Sequence, residues 1–209
     1  MDYLPLIGTV ALLNLLAAVS PGPDFVMTVR NSLLYSRRAG IYTAIGISLG
    51  LLVHLFYCVA GIGYIISKSI VLYSIIKLLG AGYLIYMGIG SILSKGSRLD
   101  RMNEKTETDL TWFKAFKMGF LTNVLNPKVT LFFLSLFTMV IGNSTPFYVI
   151  LTVSVIMILT ALIWFVVVSI FFTQKKVQMA FLKYEKGINR VLGGFLVLLG
   201  IKIALMFIN

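Results

Sequence analysis

Residues 20–24 (Ser-Pro-Gly-Pro-Asp) interrupt an otherwise apolar, membrane-length segment with two prolines and a carboxylate. Residues 126–128 (Asn-Pro-Lys) interrupt another such segment in the second half of the chain, this time with a cation. Broken backbone and charges at membrane depth are tolerated mainly where they are buried in protein or line a watery cavity. Two such breaks in corresponding halves of one chain indicate the binding site of a transporter.

The composition indicates an integral membrane protein. Of the 209 residues, 59% are hydrophobic and 12% are charged, whereas soluble domains carry about 25% charged residues. The mean hydropathy is +0.97. The net charge of +11 does not indicate a nucleic-acid partner, because the basic residues lie between apolar runs. That pattern suits membrane topology and lipid headgroups.

Six segments are apolar over the length of about 20 residues that a helix needs to cross a bilayer. They are residues 4 to about 30, 41–66, 70–93, 113–141, 147–172 and 188–208. The first has no preceding basic region and no convincing cleavage site, so we expect a retained span and not a signal peptide. The predicted fold is therefore an all-α integral membrane protein with six transmembrane helices, in which helices 1 and 4 are broken by proline.

The chain is expected to form one transmembrane domain, residues 1–209, built from two similar halves. Residues 94–112 mix acidic and basic side chains and predict a cytoplasmic linker between repeat 1 (about 1–93) and repeat 2 (about 113–209). Residues 82–84 (Gly-Tyr-Leu) and 88–89 (Gly-Ile) match 194–196 (Gly-Phe-Leu) and 200–201 (Gly-Ile). Since each half has three spans, an odd number, the second must cross the membrane inverted relative to the first.

The distribution of Lys and Arg predicts the orientation. The side that holds the first, third and fifth connections carries 14 of the 18 basic residues. They are Arg30, Arg37, Arg38, Lys95, Arg98, Arg101, Lys105, Lys114, Lys117, Lys175, Lys176, Lys183, Lys186 and Arg190. Basic residues concentrate on the cytoplasmic side, so both termini are expected outside.

Each proline break predicts the start of a half-helix. Asn126 and Pro127 suit the N-cap and the first helical position, where proline costs little. Gly22 and Pro23 suit the same positions in the first half, with Asp24 in the first turn. A new helix start exposes unpaired N–H groups and a positive dipole end, which favour an anionic group such as a carboxylate.

The charges at the two breaks are opposite, Asp24 in the first and Lys128 in the second. A zwitterion fits this pair, with its ammonium on Asp24 and its carboxylate on Lys128 and the amides after Pro127. The alternative is an internal Asp24–Lys128 salt bridge that only fixes packing between spans 1 and 4. Asn123 and Asn126 lie on one face if this turn is helical, so one is expected to act as a cap and the other to reach a ligand.

His54, the only histidine, lies midway along the second span and is a candidate proton carrier, because histidine changes charge near neutral pH. The alternative is an interhelical hydrogen bond. Asp24 is a second candidate, since a carboxyl in a low-dielectric site can take up a proton.

Catalytic function is not expected. One histidine and one cysteine, Cys58, exclude most metal and thiol chemistry, and no serine has the context of an activated nucleophile. No phosphate-binding glycine loop is present. We therefore expect no cofactor, no metal and no enzyme activity.

Two longer motifs resemble a known family. Residues 20–26 (Ser-Pro-Gly-Pro-Asp-Phe-Val), with residues 30–32, 37–40 and 53–54, resemble the N-terminal signature of the lysine exporter superfamily. Residues 119–128 (Gly-Phe-Leu-Thr-Asn-Val-Leu-Asn-Pro-Lys) resemble its second signature. Asp24 and Lys128 look like the homoserine/threonine efflux branch, because the basic amino-acid exporters tend to have glutamine and histidine there.

The resemblance implies an exporter of small neutral amino acids in the bacterial inner membrane, driven by protons through antiport and alternating access. It implies that Asp24, Asn126, Pro127 and Lys128 form the site, with His54 behind them. The alternatives are an exporter of the same fold that moves a basic amino acid, a cation or another metabolite, and an uncoupled channel or scaffold. Glycine pairs such as Gly46 and Gly50 suit helix contacts within one chain or between copies, which leaves a homo-oligomer open.

Overall fold

The protein was analysed as a computed structural model that describes residues 3–94, 110–140 and 145–205. These ranges contain eight α-helices and no β-strand. The helices are α1 (Leu4–Val19), α2 (Pro23–Leu34), α3 (Arg37–Lys68), α4 (Ile70–Ile92), α5 (Trp112–Val124), α6 (Pro127–Val140), α7 (Phe147–Phe171) and α8 (Lys175–Leu205). The charged core of the predicted linker lies outside the described residues, and its prediction is not tested.

Both predicted helix breaks are present. α1 and α2 meet at an angle of 55°, and α5 and α6 meet at 56°. α2 begins with Pro23 and α6 with Pro127, at the first helical position where the missing N–H costs nothing. The two prolines therefore end one half-helix and start the next.

The structure confirms an all-helical protein with several membrane-length apolar helices. Within the described residues, α7, α8 and the segment Arg37–Gly61 of α3 are each long and apolar enough to cross a membrane. Counting each bent pair as one span raises the number to five. α4 contains only a shorter apolar stretch, Leu78–Ile92. The protein is thus a multi-pass membrane protein, and the sixth span remains a prediction.

The last helix begins well before the predicted span 188–208, because α8 already starts at Lys175. Its early turns pack into the molecule. The Phe181 ring stacks on Phe25 of α2 with 5.1 Å between centroids and meets Phe172 edge-on, also at 5.1 Å. Glu185, one turn further on, is buried. The segment was missed because its buried face alternates with lysines, so it lacks a continuous apolar run.

Glycines bring α3 and α5 into backbone contact. A Cβ atom added to Gly46 would collide with the Phe116 carbonyl oxygen, and one added to Gly119 would collide with that of Thr43. Close approach through small residues is the usual way in which helices associate in a bilayer. The expectation that Gly46 and Gly50 serve packing is therefore confirmed, since Gly50 lies against the Asn123 side chain.

α4 and α8 meet in the same manner, and the contact has a two-fold pattern. A Cβ on Gly88 would meet Gly193 and Val197, and a Cβ on Gly200 would meet Ala81 and Ile85. Gly88 and Gly200 are the positions that the two matched sequence segments align. Gly82 and Gly194, by contrast, have no neighbouring atom within 4 Å of an added Cβ, so these two glycines serve no contact in the described chain.

We predict that Gly46→Leu lowers the thermal stability of the purified protein by several degrees or prevents its accumulation, because the side chain would push α5 away from α3. Gly8→Leu is the matched control, since nothing lies within 4 Å of a Cβ at Gly8. Thermal denaturation followed by size exclusion in detergent measures both. Equal melting temperatures for the two variants would show that the close α3–α5 contact is not required.

Candidate functional site

The ammonium group of Lys128 binds the end of a helix from the other half of the chain. Its Nζ donates to the carbonyl oxygens of Ser20, at 3.0 Å, and Ala17, at 3.4 Å. Ser20 is the C-cap of α1, so the cation lies at the negative end of that helix dipole. The second break thus stabilises the helix end that the first break creates.

The carboxylate of Asp24 is held by the second break in return. Asp24 is 7% exposed, lies in the first turn of α2, and accepts a hydrogen bond of 2.8 Å from Nδ2 of Asn123 through Oδ2. Its other oxygen, Oδ1, is buried and has no partner among the described residues, and the same holds for Oδ1 of Asn123. An unpaired buried carboxylate oxygen is costly, so this position favours a donor from a ligand or from water.

Asn126 is the helix cap that the sequence predicts. Its Oδ1 accepts a hydrogen bond of 3.0 Å from the backbone N–H of Lys128, the second residue of α6. The two asparagines therefore divide the work as expected, with Asn126 capping α6 and Asn123 reaching the site. Pro127 takes the first helical position between them.

Gly22 is required by proximity and not by backbone conformation. It is the N-cap of α2 with φ −160°, an extended value open to any residue. A Cβ at this position would lie 3.3 Å from both Cδ and Nζ of Lys128. A side chain here would press on the cation, which explains glycine between the two prolines.

A cavity of about 50 Å³ lies where these groups converge. Its lining includes Gly22, Asp24, Asn123, Asn126 and Lys128. Asn14, whose Nδ2 donates to the Met157 carbonyl oxygen at 3.0 Å, and apolar side chains such as Phe25, Leu51, Phe133 and Phe165 complete the wall. This volume accommodates about three to four water molecules, comparable with the polar head of a small zwitterion.

Asp24 and Lys128 share this cavity without forming a direct salt bridge in the described part of the chain. They are close enough to interact electrostatically, but each is held by other groups, Asp24 by Asn123 and Lys128 by α1 carbonyls. The internal salt bridge considered from the sequence is therefore not observed. The arrangement presents an anion and a cation separately to one space.

His54 is fully buried beside the site, and both of its ring nitrogens are engaged. Nε2 lies 3.1 Å from the backbone oxygen of Asn123, and Nδ1 lies 2.6 Å from the hydroxyl of Tyr57. Since a carbonyl can only accept, Nε2 is assigned the hydrogen and Nδ1 accepts from Tyr57. The interhelical hydrogen bond considered from the sequence is thus present. It also connects His54 through Asn123 to Asp24.

All eight predicted site residues lie at or beside the breaks, and seven of them come together around the cavity or cap its helices. His54 contacts the site only through Asn123. Sequence reasoning missed Asn189 of α8, which is 3% exposed and whose Oδ1 has no partner in the described residues. A polar residue at the start of a predicted span was the only available signal. The described residues contain no cluster that could hold a metal ion.

A multi-pass helical membrane protein with two broken helices and opposite charges around a central cavity has the architecture typical of a secondary transporter. The chain belongs to the LysE type translocator family, which it matches over residues 15–206. This is a family of translocators and not a class of enzymes. The resemblance of the two sequence motifs is therefore confirmed.

Several curated proteins are similar over most of the chain. An uncharacterized membrane protein of Bacillus subtilis, YrhP, is 32% identical over 90% of this chain and 92% of its own. The threonine efflux protein of Salmonella typhi is 29% identical over 95% and 97%. The leucine efflux protein of Salmonella choleraesuis is 31% identical over 60% and 58%. No solved structure gave a significant match.

Proposed function

We propose that this protein is a secondary active transporter that exports small neutral amino acids, such as threonine, homoserine or leucine. The observation that carries the proposal is the cavity in which Asp24 and Lys128 stand apart, each with its own protein partners. Relatives named threonine and leucine efflux proteins support the substrate class. The substrate is the small-molecule partner, and membrane lipid surrounds the chain.

The zwitterion would bind across the cavity in one orientation. Its carboxylate pairs with the Lys128 ammonium near the start of α6, where the helix dipole also favours an anion. Its ammonium donates to Oδ1 of Asp24, the buried oxygen without a partner. The apolar wall formed by residues such as Phe25 and Phe133 receives a short neutral side chain. A long cationic side chain finds no second carboxylate among the described cavity residues.

Transport would proceed by alternating access between two inverted three-helix repeats, six spans in all. The two-fold contact of Gly88 and Gly200 between α4 and α8 supports this symmetry. The similar bends of 55° and 56° at the two breaks support it as well. With the basic side in the cytoplasm, both termini lie outside the bacterial inner membrane.

Export would be coupled to protons entering in exchange, with Asp24 and His54 as the titrating groups. A proton on Asp24 competes with the substrate ammonium for the same carboxylate, which is the exclusion that an antiporter needs. His54 is connected to this carboxylate through Asn123. Protonation of either group would change the hydrogen bonds that hold the site.

We predict that an inward proton gradient, acidic outside and neutral inside, accelerates export, and that Asp24→Asn or His54→Ala removes this dependence on pH. The initial rate of labelled-threonine export from proteoliposomes, measured at saturating substrate and several external pH values, tests the prediction. Lys117→Ala, an exposed lysine on α5, is the control and keeps the wild-type profile. Wild-type profiles in both site variants would place the coupling elsewhere or remove protons from the mechanism.

Counterflow in proteoliposomes tests the function itself. Vesicles containing purified protein are preloaded with single amino acids, and uptake of labelled threonine is followed at one pH. Acceleration by internal threonine, homoserine or leucine, and none by lysine or arginine, is expected. A flat response would move the substrate to another class of solute. Uptake that does not saturate and is not stimulated from the far side would indicate a channel.

A further inference from the structure

A second and larger cavity, about 170 Å³, lies on the other side of Lys128. It is bounded by α4 and α8 and by the break between α1 and α2, and it shares Ser20 and Lys128 with the first cavity. Lys128 therefore stands between two spaces. Ser94, at the end of α4 next to the predicted cytoplasmic linker, also lines this second cavity, so the cavity lies towards the basic side of the protein.

Asn189 gives this cavity a specific hydrogen-bonding group. The residue lines the cavity, is 3% exposed, and its Oδ1 is buried without a partner in the described part of the chain. Its position is fixed by the backbone, because its carbonyl oxygen accepts a hydrogen bond of 2.9 Å from Oγ of Ser91 on α4. A buried amide oxygen without a donor is a costly arrangement, and it calls for a donor from a molecule in the cavity.

The two polar groups of the cavity are complementary to an α-amino acid. The Lys128 ammonium offers charge and donors to a carboxylate, and Oδ1 of Asn189 offers an acceptor to an ammonium. The first cavity has the same pattern, with Lys128 again as the cation and Oδ1 of Asp24 as the acceptor. The amide acceptor is neutral, however, so it holds an ammonium more weakly than the carboxylate of Asp24 does.

We infer that the second cavity is an access subsite for the amino-acid substrate, in which Lys128 binds the carboxylate and Asn189 binds the ammonium before transfer to the Asp24 cavity. The inference rests on the proposed amino-acid export. Lys128 keeps the carboxylate throughout, so transfer requires only that the ammonium exchange Asn189 for Asp24. The stronger acceptor in the inner cavity gives this step its direction.

Thiol labelling in the second cavity tests the subsite directly. Gly90 lines the cavity, and nothing lies within 4 Å of a Cβ at this position, so Gly90→Cys adds a thiol without a clash. The Cys58→Ala background removes the native, buried cysteine. A membrane-impermeant thiol reagent is expected to label Gly90→Cys, and threonine or leucine is expected to slow the labelling at least about fivefold. Lys117→Cys, exposed on α5, is labelled at the same rate with and without amino acid.

Asn189→Leu, added to Gly90→Cys, is expected to raise the protecting concentration of amino acid about tenfold or more, since a hydrogen bond to a charged group is lost. Asn189→Asp retains an acceptor of the same shape and is expected to protect at least as well as the wild type. Val191→Leu, an exposed position on the same helix, leaves the protecting concentration unchanged. Size exclusion of each variant establishes that it is folded.

The outcomes separate the subsite from the proposed function. Absent counterflow in the wild-type protein would contradict amino-acid export itself. Normal counterflow with an unprotected or unlabelled Gly90→Cys, while Lys117→Cys reacts, would overturn the subsite alone. Protection that Asn189→Leu leaves unchanged would overturn the role of Asn189 in the same way.

Discussion

Replacing Lys128 by glutamine is expected to abolish accelerated counterflow of neutral amino acids while leaving a folded protein. Glutamine can still donate a hydrogen bond to the Ser20 carbonyl oxygen that now receives Nζ. It carries no charge, so a substrate carboxylate would enter a cavity that contains Asp24 but no cation. Like charges in a desolvated site disfavour binding by several kcal/mol, of the order of 3–5. Labelled-threonine counterflow with internal threonine measures the loss.

Lys128→Ala separates the two roles of this side chain. It is expected to abolish transport as glutamine does, but also to lower thermal stability, because the carbonyl groups of Ala17 and Ser20 lose their donor. Lys117→Gln, an exposed lysine on α5, is the control for loss of a positive charge and keeps wild-type transport. Undiminished transport by Lys128→Ala would exclude Lys128 as the carboxylate ligand.

Asp24→Asn is expected to raise the substrate concentration needed for half-maximal counterflow about a hundredfold, as loss of one partner from a buried ion pair implies. The amide retains the shape of the carboxylate and a contact with Asn123, so the fold is preserved. Asp109→Asn in the predicted linker removes a carboxylate of the same type and is expected to leave the affinity unchanged.

The nature of the lost contact can be read from the choice of substrate. If Asp24 binds the ammonium, the wild-type protein should prefer threonine strongly over a 2-hydroxy acid that lacks the amino group. Asp24→Asn should remove most of this preference, because neither substrate then meets a carboxylate. Competition of both compounds with labelled threonine measures the ratio. A preference that persists in full would assign recognition of the amino group to another residue.

The two breaks act as one unit, and this explains why opposite charges occur at them. Lys128 of the second half binds the end of α1 in the first, and Asn123 of the second half binds Asp24 in the first. Each charged residue is thereby held in place without neutralising the other. A site built from a direct salt bridge would have to break that bridge before it could bind a zwitterion.

Much of the fold follows from local sequence. The apolar lengths predict the membrane helices, and proline with its preceding cap residue predicts where α2 and α6 begin. The cap formed by Asn126 is also local, since its partner is the backbone N–H of Lys128 two residues away. The amphipathic start of α8 at Lys175 was not predicted, because its burial depends on Phe25 of a distant helix.

By itself, the sequence determined the class of protein, the two breaks and the identities of the charges beside them. These features depend on hydrophobic length, backbone geometry at proline and residue type, all of which act over a few neighbouring positions. Only the tertiary structure decided that Lys128 binds α1 carbonyls and not Asp24, and that Asn189 lines a second cavity beside the same lysine. Those contacts join residues far apart in the chain, and packing of whole helices, which no local preference encodes, brings them together.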